Sequence, residues 1–421
     1  MVKNNMKLQI LICAFACLKD PDDRFGFGKG GESGLGWNMI LQISKLGEVS
    51  VLTDSGNRQE IEEKMSESKL SNVSFYYISL PRFLSFTKKA IQIYAYLWQI
   101  KAYFIAKKLN KKIHFDVFHH ITYANDWMAS YIGALLPVEY IRGPGGGAHR
   151  VPESFTRGYS FKQRIAEKMR SVGQWLFRRD PFFTIGQNKA KALLVCNNEA
   201  FDALSKKWQR KACFFPVNGV TSEDLKLEYK KEDFGRFKIV SAGKLLKIKG
   251  FDLAIRAFKI FNDKIPQSEL IVAGDGPEMI SLKNLAEKLE IKNNVIFKKW
   301  LTHESLLREM ASADVFLFCS LRDGGGQVVV EAMAAGKPVV CFDIAGPGFH
   351  VDENCGIKVK PKNPERAIGD IERALEKLYS DPELRIRLGK GARRKAELEY
   401  AWDELGGRLK KIYQKILKNG K

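Results

Sequence analysis

Short runs rich in β-formers alternate with longer helical patterns from one end of this chain to the other. LQILICAF, VSVLT, FDVFHHI, VEYIRG and ALLVC fall in the first half, and FKIVSAG, ELIVAG, NVIFKKW, DVFLFCS and PVVCFD in the second. Alternation of this kind predicts parallel sheets with crossover helices. The pattern occurs twice and breaks in FFPVNGVTSEDLKLEYKKEDFGRF, whose polar part after Val220 has linker composition, so the boundary is expected between residues 220 and 235. At 421 residues the chain also exceeds the size at which one core stops growing. The expectation is an α/β protein of two Rossmann-like, doubly wound domains facing each other across a cleft, residues 1–222 and 223–400. Residues 401–421 are expected to form a helix packing back toward the first domain. Ligands of such folds bind at the carboxyl ends of the strands.

Hydrophobic residues make up 45% of the chain and charged residues 28%, the balance of an ordinary soluble protein. No run of eighteen apolar residues marks a transmembrane helix. The start, MVKNNMKLQILICAFACL, loosely mimics a signal peptide, but its β-formers and the charged, glycine-rich loop after it read as a first strand entering a functional loop. Seven cysteines (Cys13, Cys17, Cys196, Cys213, Cys319, Cys341 and Cys355) are scattered, several within apolar runs, and none forms a CxxC pair. An odd number at such spacing fits neither a disulfide framework nor a zinc site, and points to reduced thiols in the cytosol. The net charge of +21 calls for an anionic partner: nucleic acid, an anionic membrane or a phosphorylated substrate.

The stretch SLRDGGGQVVVEAMAAGKPVV narrows that choice. VFLFCS reads as a buried strand and GQVVVEAMAA as a helix, so Gly324, Gly325 and Gly326 sit where strand turns into helix. Lacking side chains, they let backbone amides approach a ligand, and a helix N-terminus favours phosphate. Glu331 lies about 7 Å along the helix, at about 1.5 Å per residue, where a carboxylate suits ribose hydroxyls. Asp323 would face whatever the phosphates carry. A plain glycine turn with a solvated Glu331 is the bland alternative. In SAGKLLKIKGFDLAIRAF, Lys244 and Lys249 occupy a loop between strand and helix, from which both can reach a diphosphate; taken singly, each is a solvated lysine. LIVAGDGPEM supplies another strand followed by a turn at which Gly276 permits close backbone approach.

In order and spacing these stretches resemble the retaining glycosyltransferases of family 4 (glycosyl transferase group 1), which have the GT-B fold. The resemblance runs through GKLLKIKG, GDGP, DGGGQVVVEAMAAGKPVV and GPGFH, and through GGESGLGWN, DVFHHITYAND, GPGGGAHRVP and PVNGV in the first half. It implies an acceptor-side domain followed by a nucleotide-sugar-binding domain. Glu331 would bind the donor ribose, Asp323 the donor sugar, and Lys244 and Lys249 the diphosphate. Gly30, Gly31 and Glu32 would form a diphosphate and acceptor loop. Three departures stand out: Lys244 replaces the usual Arg, Asp323 the more common Glu, and GGGAHR lacks the acid that relatives carry near His149.

GFGKGGESGLG formally contains Gly-x-Gly-x-x-Gly at Gly26, Gly28 and Gly31, but about ten residues separate it from the first strand, whereas a dinucleotide fingerprint follows its strand directly. With Asp54 at the end of VSVLTD as a ribose acid, a dinucleotide-dependent oxidoreductase is the lesser alternative. FDVFHHITYAND places His119 and His120 at a strand end expected to face the cleft, where one of them could take the acceptor's proton. A hydrogen-bonded structural histidine is the competing reading for each, and the family pattern favours His119. No metal is demanded, because lysines and a helix dipole can stabilise a departing phosphate. DPDD reads as a loop, and no cofactor beyond the nucleotide-sugar substrate is expected.

PRFLSFTKKAIQIYAYLWQIKAYFIAKKLNKK has eight Lys or Arg and no acid, interleaved with aromatics, a composition suited to an anionic membrane interface. QRIAEKMRSVGQWLFRRDPFF is a second such stretch. Nucleic acid is not expected, since no reader motif is present. Together these features predict a cytoplasmic enzyme associated peripherally with the inner face of the membrane. It would move a sugar from a nucleotide diphosphate donor to a saccharide or lipid-linked glycan with retention, in cell-surface polysaccharide or glycolipid synthesis. A sugar-nucleotide epimerase on the same fold is the main alternative, and a nucleotide-binding protein with idle acids the third.

Overall fold

A computed structural model describes residues 7–18, 31–68, 70–81, 83–84, 91–226 and 235–418. They form two compact units. Unit 1 takes the described residues of Met1–Ala148, Ile165–Val217 and Trp402–Lys421; unit 2 takes those of His149–Arg164 and Asn218–Ala401.

Unit 1 is built on strands β1 (Leu8–Ala14), β2 (Gly47–Asp54), β3 (Val73–Ile78), β4 (Val117–Thr122), β5 (Glu139–Gly145), β6 (Ala192–Val195) and β7 (Ala212–Phe214), in the sheet order β3-β2-β1-β4-β5-β6-β7. All neighbours pair in parallel. Helices cover both faces, so the central strands are apolar throughout: Ile10, Leu11, Ile12 and Ala14 of β1 are all fully buried. One core, around Ile10, Ile12 and Ile40, lies on one face, and another, around Leu11, Phe118 and Trp98, on the other. Helix Trp402–Lys418 closes the first of these. Its Trp402, Leu405, Leu409, Tyr413 and Ile416 recur at helical spacing and are buried there. It crosses helix Gly31–Ser44 so closely that a Cβ on Gly406 would stand 2.2 Å from Gln42 Oε1.

Unit 2 repeats the plan with β8 (Phe237–Ala242), β9 (Ser268–Ala273), β10 (Val295–Lys298), β11 (Val315–Phe318), β12 (Val339–Phe342) and β13 (Gly356–Val359), ordered β10-β9-β8-β11-β12-β13 and parallel. In each sheet the order reverses direction between the first strand of the unit and the fourth. The loops leaving those two strands therefore diverge to opposite faces and leave a crevice at their carboxyl ends. In unit 2 these are the loops after β8 and β11, which carry Lys244, Lys249 and the three glycines.

Two expectations need correction. Residues 149–164, assigned by sequence to the first domain, belong to unit 2: Val151, Phe155 and Tyr159 enter its core, Phe155 packs on Phe342 with ring centroids 6.1 Å apart, and Ser154 Oγ donates to Lys362 O at 2.8 Å. The division also falls at Val217/Asn218, ahead of the linker-like composition, because Val220 is already in unit 2's core and donates its amide to Tyr400 O at 2.9 Å. Three strands absent from the sequence reading, β3, β7 and β13, all lie at sheet edges, where strands are short and need not be apolar on both faces. Among the described residues no helix is long and apolar enough to cross a membrane.

Candidate functional site

In unit 2 the site grows out of strand order. Because β8 and β11 are hydrogen-bonded neighbours, the loops that follow them run side by side: Leu321 donates its amide to Ile248 O at 2.9 Å. Gly250, with φ 66° and starting helix Phe251–Lys264, lies against the end of β11, where a Cβ would stand 2.1 Å from Cys319 O. Only glycine fits there, and its fit delivers the preceding Lys249 to the first acid. Lys249 Nζ is 2.5 Å from Asp323 Oδ2.

Asp323 turns inward. Its Oδ1 accepts the amides of Gly325 at 3.2 Å and Gly326 at 2.7 Å, capping the approach to helix Gln327–Ala334. Burial alone would raise this carboxyl, but Lys249 and the two amides outweigh it and hold the pKa below the usual carboxylate value. The glycine stretch was expected to offer its amides to a phosphate. In the structure two of the three amides are satisfied by Asp323. Gly324 lies beside His149, whose Cε1 would be 2.9 Å from a Cβ placed there.

The loop's carbonyl side is held by a residue that the sequence reading quoted, in GPGFH, without giving it a role. His350 is fully buried, its Nε2 bonds Gly325 O, and its Nδ1 is 2.9 Å from the Tyr400 hydroxyl. A carbonyl only accepts, so Nε2 carries the proton and Tyr400 donates to Nδ1. Burial lowers the His350 pKa to about 4, which keeps this neutral tautomer. Tyr400 lies fifty residues further on, and nothing local in the sequence signals the pairing.

Glu331 is 5% exposed, on the helix that Asp323 caps. Its Oε1 accepts from Gln327 Nε2 at 3.0 Å and lies 3.6 Å from His303 Nδ1, while His303 Nε2 is 2.9 Å from Asp224 Oδ1. Burial raises the Glu331 carboxyl, His303 and Gln327 oppose that, and the nearby Asp224 adds to it, for a net rise. Glu331 therefore has protein partners of its own, and Gln327, His303 and Asp224 are site neighbours that sequence reasoning missed. Lys244 sits earlier in the β8 loop, beside the Gly274–Gly276 turn. That turn explains Gly276: with φ 158°, its Cβ would stand 2.5 Å from Leu245 O, so the close approach is to the protein's own backbone.

In unit 1 the histidines depart from expectation. His119 is fully buried on the face that also packs Tyr413, with Nε2 2.7 Å from Gly143 O and Nδ1 2.9 Å from the Tyr413 hydroxyl. His120, 1% exposed, points to the other face, where its polar neighbour is the Thr122 backbone. Burial lowers His119 to about 4, and burial together with Arg142 and His119 lowers His120 to about 3. Strand alternation drives one ring into each core, so both histidines expected as proton acceptors at the strand end are buried side chains in this structure.

Gly30 lies outside the described residues, as do Gly26 and Gly28. Gly31 begins helix Gly31–Ser44 and Glu32 follows in its first turn, at the crevice where β1 and β4 part. Glu32 Oε2 accepts the Tyr123 amide at 3.0 Å; burial raises its pKa to about 7 against the lowering effect of that bond. Asp54, the ribose acid of the oxidoreductase alternative, is engaged by Gly56 N at 2.9 Å and the Tyr94 hydroxyl at 3.2 Å.

Comparison with known proteins agrees with this layout. The family described as Glycosyl transferases group 1 matches residues 225–395. An uncharacterized glycosyltransferase of Methanocaldococcus jannaschii is 25% identical over 333 residues, 74% of this chain and 80% of that protein. A GDP-mannose-dependent alpha-(1-6)-phosphatidylinositol monomannoside mannosyltransferase of Mycolicibacterium smegmatis is 30% identical over 182 residues; the match spans 41% of this chain and about half of that protein, 47%. Among solved structures, sucrose-phosphate synthase from Thermosynechococcus elongatus superposes with a TM-score of 0.68 at 18% identity, over 98% of this chain and 100% of that one. Residues 225–395 thus match the glycosyl transferases of group 1, and the two units have the Rossmann-like architecture of the two GT-B domains.

Proposed function

We propose that this enzyme takes a sugar from a nucleotide diphosphate donor and places it, with retention, on a saccharide or lipid-linked glycan. It would work in cell-surface polysaccharide or glycolipid synthesis, in the cytoplasm at the inner face of the membrane. The observation that carries this reading is the assembly of Lys249, Asp323 and the Gly324–Gly326 turn at the crevice between β8 and β11. The GDP-mannose dependence of the Mycolicibacterium relative supports it.

In this reading Lys249 and Lys244 face the diphosphate, and the start of helix Gln327–Ala334 adds its dipole. Charge developing on the departing phosphate is then met by fixed positive groups, without a metal or a further cofactor. Asp323 holds the glycine turn in shape and orients Lys249, and it contacts the sugar once a diphosphate competes for that ammonium. Glu331 takes the ribose. Glu32, rather than either buried histidine, is the acid on the acceptor side.

The test is thermal stabilisation of the full chain by nucleoside diphosphates and nucleotide sugars, followed by product analysis with candidate glycans. A shift selective for one base, lost in Glu331→Ala, and a product of unchanged anomeric configuration support the transferase. A new nucleotide sugar formed without acceptor would favour the epimerase instead, and no shift with any nucleotide would remove the donor site.

A further inference from the structure

Helix Phe161–Phe177 is amphipathic, yet its only buried residue is polar, Gln174. From Ile165 onward it belongs to unit 1. Ile165, Met169, Val172 and Leu176 recur at spacings of four, three and four, one stripe along the helix, with Trp175 beside it. They are exposed by 45, 64, 43 and 56%, and Trp175 by 54%. A helix of a soluble protein ordinarily turns such a stripe to the core. This one is fastened by its polar side: Arg170 and Gln174 both donate to Gly147 O, and Phe177 packs on Tyr96 and Trp127 with ring centroids 5.1 and 5.5 Å apart. The apolar side is left outward.

The stripe is bordered by cations. Within unit 1, Lys168, Arg178 and Arg179 are exposed, against one half-buried acid on the helix, Glu167, and the Arg179 guanidinium lies 3.5 Å over the Trp175 ring. Through Tyr96 the helix adjoins Ile91–Ile113, whose Tyr94 and Trp98 are buried but whose Ile93, Ile100 and Phe104 are exposed near a lysine-rich end. The first basic-aromatic stretch thus sends Tyr94 and Trp98 into the core, whereas the helix of the second buries only Gln174.

We propose that helix Phe161–Phe177 is the surface by which the enzyme sits on an anionic lipid bilayer. Its Ile165, Met169, Val172, Trp175 and Leu176 enter the acyl boundary, and the flanking Lys and Arg meet headgroup phosphates. This rests on the membrane-side reading above and assigns the residues that make the contact. A second copy of the chain fits less well: a two-fold interface through this stripe would set the same cations against each other, on a chain of net charge +21.

The experiment is co-sedimentation of the full chain with vesicles of phosphatidylcholine alone or mixed with phosphatidylglycerol, beside sedimentation velocity without vesicles. The triple variant Met169→Ser, Trp175→Ser, Leu176→Ser changes exposed side chains only, and its melting temperature and nucleotide response should match the parent. The parent should bind the anionic vesicles, less so in high salt, and the triple variant should lose about tenfold or more in affinity. Lys168→Gln, Arg178→Gln, Arg179→Gln, which keeps the stripe, should lose the preference for anionic over neutral lipid, and it serves as the independent check if the first variant misfolds. Parent-like binding by both variants overturns the assignment to this helix while leaving membrane association intact. Absence of binding by the parent removes the membrane-side reading itself. A parent dimer that the triple variant dissolves, with no vesicle binding, makes a second copy the occupant.

Discussion

Lys249 and Asp323 form a part-buried ion pair, Nζ to Oδ2 at 2.5 Å, while the other oxygen of Asp323 holds two amides of the glycine turn. One side chain therefore joins the loop after β8 to the loop after β11. Asp323→Ala leaves two amides and an ammonium without that partner and should cost about 1–3 kcal/mol. Asp323→Asn keeps an acceptor for the amides and should lose less. The Asp323 pKa is lowered, so its stabilisation is present above the unfolded carboxylate pKa and lost as pH falls through the folded one. The stability gap between parent and Asp323→Ala should hold at pH 7 and close below about pH 4. Thermal melts across pH check this; a gap independent of pH would argue against the ion pair.

Glu331 should behave in the opposite sense. Its carboxyl is raised by burial, so at neutral pH its charge opposes folding, and any benefit of its neutral form is lost as pH rises through the folded pKa. Glu331→Gln should raise the melting temperature at pH 7–8, by roughly 2–4 °C for each 1 kcal/mol gained, while abolishing the shift produced by the donor. A variant both less stable and still donor-responsive would contradict the assignment.

The His350 bridge predicts a positioning effect. Tyr400→Phe removes the donor to Nδ1 and should cost about 1 kcal/mol. It should also loosen the Gly325 carbonyl, raising KM for the donor more than it lowers kcat. A purely structural role would lower the melting temperature and leave KM unchanged.

A second histidine bridge, His119 between Gly143 O and the Tyr413 hydroxyl, repeats this device in unit 1. Both histidines have pKa values lowered to about 4, so each supports the fold fully above the unfolded value and loses that support as pH falls toward about 4. Stability should therefore drop between about pH 6.5 and 4, and His350→Gln, which retains a donor for Gly325 O, should flatten the drop.

His120→Phe tests the other buried ring. It packs 6.3 Å from the Phe118 ring and its polar neighbour is the Thr122 backbone, so phenylalanine should change stability by no more than about 1 kcal/mol. Turnover should stay within about twofold of the parent, whereas a loss of about 100-fold would restore His120 to the chemistry.

Much of this was legible in the sequence. Parallel strands buried on both faces must read as unbroken apolar runs, so FKIVSA and VFLF announced themselves, and the basic loop and the glycine turn fell where those two strands end. Strand alternation alone also implied that His119 and His120 point to opposite faces. Three of the four edge strands were not legible: β3, β7 and β13 lie at sheet edges, where the apolar signal weakens.

What only the tertiary structure decided were long-range pairings, because no local pattern encodes a partner fifty or more residues away. Residue type marked Asp323 as a candidate ligand contact, and the adjacency of β8 and β11 added Lys249 and two amides as its partners. Composition marked both the stretch around Trp98 and the one around Trp175 as basic-aromatic surface, and packing then buried the Trp98 ring and left Met169 and Trp175 outside. Sequence determines which groups must be desolvated and which charges exist; the fold decides which of them meet.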